Sequence, residues 1–158
     1  MRFETTIQRP VEARGVGLHH GVPVSIRILP APPSTGIVFR RVDLIGGGAE
    51  IPADWSRVID SRMCTVIADE NGVSVATVEH LMSTFAGLEI DNAIVEINGP
   101  EVPAMDGSAA PFPFLIECAG VVDQNAVRRA MVIRKNYSFH SKGRAVALGP
   151  SSECGLKI

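Results

Sequence analysis

The first third of the chain alternates. Val22, Val24, Ile26 and Ile28 fall two apart, with Pro23, Ser25 and Arg27 between them, which is the period of a half-buried strand. Pro30, Pro32, Pro33 and Gly36 then spell a turn, and a strand resumes over Ile37 to Arg41. The run Gly46, Gly47, Gly48 reads as a loop, because it lacks the Lys-Ser/Thr and the helix opening that a phosphate cradle requires. Further on the period changes. Val78, Leu81, Met82 and Phe85 stand at i, i+3, i+4 and i+7, one apolar helical stripe. Thr77 is the expected N-cap and Gly87 the expected stop. Asp91 to Asn98 returns to alternation, with Ala93, Val95 and Ile97 on one face. A second helix is expected from about Pro111 to Ala119. There Phe112, Leu115, Ile116 and Ala119 repeat the helical spacing, Pro111 suits the first helical position and Gly120 ends it. Pro113 restricts the start, since proline is tolerated only in the first turn.

The character shifts near Val121. Val122, Asp123, Gln124 and Asn125 read as a linker. Strands are expected again over Met131 to His140, with Met131, Ile133, Tyr137 and Phe139 on one face and Arg144 to Leu148 as a hairpin partner. Gly155 to Ile158 reads as the start of another strand, so the chain is expected to stop inside a second domain. The roughly thirty residues after the linker are too few for a stable domain of their own. Two units follow: 1–122, a first domain of strands with two helices, and 123–158, a linker with the truncated beginning of a second.

Composition narrows the class. The chain has 158 residues, 46% hydrophobic and 20% charged, as in ordinary globular proteins. Only 5% are aromatic, so the core is expected to be aliphatic. The net charge is −2, and the densest basic run, Arg128, Arg129, Arg134 and Lys135, is too sparse to track a phosphate backbone; nucleic-acid binding is not expected. No apolar stretch approaches the roughly 18–20 residues that span a bilayer, and the start of the chain lacks the apolar run of a signal peptide. Cys64, Cys118 and Cys154 are odd in number and widely spaced, which disfavours a disulfide framework. Together these point to the cytoplasm.

Three places could carry chemistry. Glu79 and His80 are adjacent at the start of the first helix, off its apolar stripe. Side chains about 100° apart diverge but can flank one site. A neutral imidazole can hold a metal while a carboxylate takes a proton from water. From the pair alone, a solvated helix face with Glu79 favoured by the helix dipole is the preferred reading. The pattern is not H-E-x-x-H, which supplies two ligands from one helix. Asp106, Gly107 and Ser108 precede the second helix without forming a G-x-S-x-G elbow, so a capping turn is expected rather than a serine nucleophile. His19 and His20 lie in a Gly-bounded turn with ordinary loop hydrogen bonding as the default, and Cys64 reads as a small core residue.

Longer stretches carry a resemblance. Thr77-Val78-Glu79-His80-Leu81-Met82, Ala86 to Asn92, Glu101-Val102-Pro103-Ala104-Met105-Asp106-Gly107-Ser108-Ala109-Ala110-Pro111-Phe112, and Gly15-Val16-Gly17-Leu18-His19 resemble, in that family's order, the UDP-3-O-acyl-N-acetylglucosamine deacetylases. So do Pro30-Ala31-Pro32 and Gly36 to Arg41. The resemblance implies an α+β fold of two similar domains, each a mainly antiparallel sheet with two helices packed on one face, and a site between them. It implies zinc-dependent removal of the N-acetyl group from a UDP-linked acylated amino sugar in lipid A synthesis. It makes His80 a zinc ligand and Glu79 the general base, and it sets Leu18, Met63 and Cys64 near the substrate cleft. The family's other zinc ligands, a His and an Asp, come from an H-K-x-x-D helix in the second domain, which also supplies a further His; none lies within 1–158. A chain with one ligand is expected to bind zinc poorly and to be inactive alone, since catalytic zinc needs three protein ligands and an open position. The alternative is a non-catalytic α+β binding module that keeps the first domain only.

Overall fold

The computed structural model describes residues 2–46 and 48–151. In chain order the elements are β1 (Phe3–Ile7), β2 (Val11–Val16), β3 (Pro23–Pro30), β4 (Ile37–Arg41), β5 (Ala49–Pro52), β6 (Val58–Asp60), β7 (Val66–Ala68), β8 (Ser74–Val75), α1 (Glu79–Gly87), β9 (Ala93–Ile97), α2 (Pro111–Ala119), β10 (Val121–Val127), β11 (Tyr137–Ser141) and β12 (Arg144–Leu148). The fold is α+β, as the pattern of strands and helices predicts. The chain divides into two compact units after Val127.

The first unit is organised by a five-stranded sheet ordered β2-β3-β9-β4-β5. Its ladders are antiparallel except for β4 against β9, which run parallel. Period-two alternation sorts its faces. Ala13, Val24, Ile26, Ile28, Phe39, Ile51, Ala93, Val95 and Ile97 are buried on the inner face. Leu81 and Phe85 of α1 and Phe112 and Ile116 of α2 belong to the same core cluster, so both helices cover that face. The outer face carries charges in alternating sign. Register sets Glu12 opposite Arg27, Arg27 opposite Glu96, Glu96 beside Arg40, and Arg40 opposite Glu50. Ion pairs join each neighbour, the tightest being Arg40 to Glu50 at 2.8 Å. This ladder crosses all five strands and keeps the solvent side of the sheet wet.

A smaller pair, β1 with β10, lies antiparallel. The residues read from sequence as a linker, Val122 to Asn125, are therefore strand. Their polarity misled because it serves hydrogen bonds: the Gln124 side chain donates to Ala31 O at 2.8 Å and accepts from Asn92 Nδ2 at 2.7 Å. Asn92, buried, also donates to Glu4 and accepts from the Gly36 N–H, tying β1 and β10 to the sheet. A three-stranded sheet, β6-β7-β8, completes the unit.

Both helices keep the expected stripes but differ at their ends. α1 has Val78 as N-cap without a side-chain bond. Thr77, the expected cap, instead adopts a left-handed φ of 58°. The helix ends at Gly87 as expected, but the left-handed position beyond it is taken by Glu89, whose φ is 56°. Ile90 N–H reaches Phe85 O and Glu89 N–H reaches Ala86 O, the paired bonds of a Schellman end with a glutamate in the position glycine usually takes. α2 runs Pro111 to Ala119 as expected, with proline in its first turn and Gly120 closing it at φ 77°. The N-cap residue is Ala110, which has no capping side chain, and the Ser108 hydroxyl accepts the Ala110 N–H at 3.1 Å, so the expected turn meets the helix start through Ser108.

In the second unit β11 and β12 pair as an antiparallel hairpin from Tyr137↔Leu148 to Ser141↔Arg144. The strand starts at Tyr137, not at Met131; residues 128–136 form no strand. Both of its strands are exposed along their length, and the Lys135 ammonium lies 5.3 Å over the Tyr137 ring. The loop glycine Gly47 and the strand expected at Gly155 to Ile158 lie outside the described residues.

Candidate active site

The head of α1 is fixed from two sides before any chemistry is considered. On one side lies the segment 63–65. The Thr65 N–H donates to Glu79 Oε2 at 2.9 Å, and the Val78 N–H reaches back to Thr65 O at 3.4 Å. Cys64, half-buried, and Met63, exposed, immediately precede Thr65 in the chain. His80 is half-buried, and its carbonyl accepts from the Ser83 and Thr84 hydroxyls one turn on. Those hydroxyl bonds fix the backbone of the turn that carries the imidazole.

On the other side lies Glu101, fully buried. Its carboxylate accepts from the backbone N–H groups of His19 at 3.0 Å and His20 at 2.9 Å. It also accepts from the Thr77 hydroxyl at 2.7 Å and contacts His20 Nδ1 at 3.0 Å. Burial works to raise its pKa, yet the bonds from His20, Thr77 and His19 outweigh it and hold the carboxyl down at about 2. Glu101 thus stays ionised inside the protein and joins the Leu18–His20 turn to the residue two before Glu79. Leu18 projects from that turn and is 67% exposed.

A third group approaches from the loop before α2. Asp106 accepts from the Ser108 N–H at 2.9 Å and from its hydroxyl at 2.8 Å. These bonds lower its pKa, and the nearby His80 adds a smaller contribution of the same sign. Met105, just before it, has a left-handed φ of 55°. Two left-handed side-chain residues, Thr77 and Met105, therefore stand within three positions of His80 and Asp106. Strain of this kind gathers where structure over-determines a functional geometry.

The structure thus places Glu79 and His80 at the head of α1, held through Thr65 on one side and through Thr77 and Glu101 on the other, with Asp106 close enough to His80 for a small electrostatic interaction. Glu101 was invisible to pattern reading: a lone acid between Pro100 and Val102 has no period, and its partners lie far away in sequence. Among the described residues no group of three or more His, Cys, Asp or Glu is placed to hold a metal ion. Cys64 and Cys118 are free thiols. No helix among the described residues is long and apolar enough to cross a membrane. A separate shallow depression, lined by Leu44, Glu50, Arg57, Asp69 and Asn71 among others, contains none of Glu79, His80, Glu101 and Asp106.

An α+β unit that presents a carboxylate and an imidazole on adjacent residues at a helix head carries two groups able to move protons. Comparison with known proteins makes this particular. The sequence profile of the LpxC family, UDP-3-O-acyl N-acetylglycosamine deacetylase, matches residues 4–158, and the chain belongs to that family. It is 51% identical over 150 residues to a UDP-3-O-acyl-N-acetylglucosamine deacetylase of Solibacter usitatus, covering 95% of this chain and 50% of that protein. The like-named protein of Acidithiobacillus ferrooxidans is 52% identical over 155 residues, 98% of this chain and 50% of its own length. That of Chromobacterium violaceum is 44% identical over 158 residues, 100% of this chain and 51% of its own length. The chain spans about half the length of the curated relatives it matches.

Proposed function

We propose that the intact protein is a zinc-dependent cytoplasmic hydrolase that removes the N-acetyl group of UDP-3-O-acyl-N-acetylglucosamine, a step of lipid A synthesis. The reading rests on family membership and on one observation above the rest: Glu79 and His80 share the first turn of a helix whose head is anchored on both sides. Tested against zinc chemistry, the residues fit one corner of a site. His80 offers one neutral imidazole, and the remaining ligands come from the half of the relatives' length that this chain does not span. Bound there, zinc would polarise the amide carbonyl and make water acidic enough to attack near neutral pH.

The chain's own residues then have distinct tasks. Glu79 accepts the proton of the attacking water; the Thr65 N–H on one carboxylate oxygen leaves the other oxygen for that work. Asp106, held by the Ser108 N–H and hydroxyl, keeps a negative charge in the neighbourhood of His80. Leu18, Met63 and Cys64 line the approach of the acylated sugar. Exposed Leu18 and Met63 offer apolar surface that an acyl chain would cover.

The chain alone, lacking the other ligands, binds zinc weakly and does not turn over substrate. The test is Glu79→Ala and Glu79→Gln in the intact protein. Each should lower kcat by at least about 100-fold with zinc content and fold unchanged, as expected on removing a general base. Undiminished turnover would favour a binding module that keeps this fold without its chemistry. Stoichiometric tight zinc in the purified 158-residue chain would contradict the half-site.

A further inference from the structure

We propose that Glu101 is a positioning residue that makes the substrate-flanking turn and the head of α1 move as one body. The inference rests on the functional reading above for its kinetic readout only. Its basis is geometric. Residues 100–104 run as a strap between two segments. On one side Ala76 N–H donates to Pro100 O at 2.8 Å and Val102 N–H to Ala76 O at 3.0 Å; on the other Ala104 N–H donates to Val16 O at 2.9 Å. Glu101 sits in the middle of the strap and its side chain binds both sides at once. Toward the turn it takes the His19 and His20 N–H groups; toward the helix it takes the Thr77 hydroxyl.

Two further features make sense only if this clip is needed. Thr77 is β-branched and left-handed, a costly conformation for such a residue. Its hydroxyl bond to Glu101 is the contact that holds it there, and the peptide that follows sets the direction in which Val78, Glu79 and His80 leave. Gly17, at the base of the turn, has no side chain, and a Cβ there would come within 2.5 Å of Glu101 Oε2. The turn can close over the carboxylate only because that position is bare. Glu101 touches none of the residues assigned to bond making, so its effect on turnover passes through Thr77 and the Leu18–His20 turn.

The two arms of the clip separate experimentally in the intact protein. Thr77→Val keeps the branched shape and removes only the hydroxyl that fixes the helix head. It should lower kcat about 10-fold with KM and zinc content near wild type. His20→Ala removes the ring contact that supplements the two N–H bonds, weakening the turn arm without cutting it, and should raise KM about two-fold or more with kcat held. Glu101→Ala cuts both arms and should lower kcat/KM by about 100-fold, the scale of a small misplacement of reacting groups. Glu101→Gln should recover most of that loss, because its carbonyl still accepts the two N–H groups and the Thr77 hydroxyl can reverse to accept. A merely structural residue would lower thermal stability without this split and without the recovery in Gln.

Wild-type kcat and KM in folded Thr77→Val and His20→Ala would overturn the proposal. Should Glu101→Ala fail to fold, the other three variants decide it. Amide exchange supplies a readout independent of activity. The His19 and His20 amides should exchange at least about 100-fold faster in Glu101→Ala and stay close to wild type in Glu101→Gln, while those of β3 and β9 stay protected in both. If the wild-type intact protein does not deacetylate the sugar nucleotide, the functional reading fails, and the clip is judged on exchange alone: lost protection upholds it and unchanged protection refutes it.

Discussion

The outer face of the five-stranded sheet and the corner around Glu101 use charge in opposite ways. The face lines up Glu12, Arg27, Glu96, Arg40 and Glu50 in alternating sign, all reachable by water. Glu101 is a single fully buried carboxylate that, among the described residues, pairs with no Lys or Arg, and hydrogen-bond donors converge on it instead. Ion pairs in solvent contribute little each, because water screens them and long side chains lose entropy in pairing. A buried carboxylate is different in kind. Removing it strands every donor that pointed at it. The difference teaches that in this protein the number of charges on a surface says little about where stability and geometry are decided.

Four measurements would break or sharpen that contrast. Glu101→Leu should have the largest effect, about 3–5 kcal/mol lost in denaturant unfolding, since the His19 and His20 N–H groups and the Thr77 hydroxyl lose their acceptor together. Acid comes next. The folded value of Glu101, about 2, lies below its ordinary 4.5, so its contribution is complete above about pH 4.5 and is lost as pH falls toward 2. That contribution is at most about 3 kcal/mol, and Glu101→Gln should flatten the stability–pH curve in this window alone. Third, Gly17→Ala should cost about 1–3 kcal/mol by driving a methyl into the Glu101 carboxylate. Smallest is Arg40→Ala, which breaks the ladder at its most connected point yet should cost no more than about 1 kcal/mol, and less still in high salt. A ladder variant as damaging as Glu101→Leu would erase the distinction.

The strands and helices were legible in the sequence because burial imposes a period. Val24, Ile26 and Ile28 face one way in β3, and Leu81 and Phe85 face one way in α1, as their spacing requires. What spacing could not show was where polar side chains send their hydrogen bonds. Gln124 reads as linker and is strand, because its amide is used by Ala31 and Asn92. Thr77 reads as a cap and is not one, because Glu101, 24 residues later, takes its hydroxyl. Gly87 reads as a stop, yet the left-handed position falls two residues on, at Glu89, where the end of α1 meets β1 through the Thr5 hydroxyl. Apolar residues from Met131 to Ile133 suggest a strand, but among the described residues no strand is paired to them. The site divides the same way. Glu79 and His80 stand out as an adjacent pair with recognisable chemistry. Glu101 acts through partners 82 and 81 residues earlier and has no local signature at all.

The central proposal is that the carboxylate–imidazole pair at the head of α1 is half of a zinc centre. Its most direct test is zinc content together with turnover of UDP-3-O-acyl-N-acetylglucosamine by the intact protein carrying His80→Ala. Removing a ligand should leave a folded protein with zinc affinity lowered by at least about 100-fold and with turnover near background, even when zinc is supplied in excess. A His80→Ala protein that holds zinc and deacetylates at the wild-type rate would contradict the account.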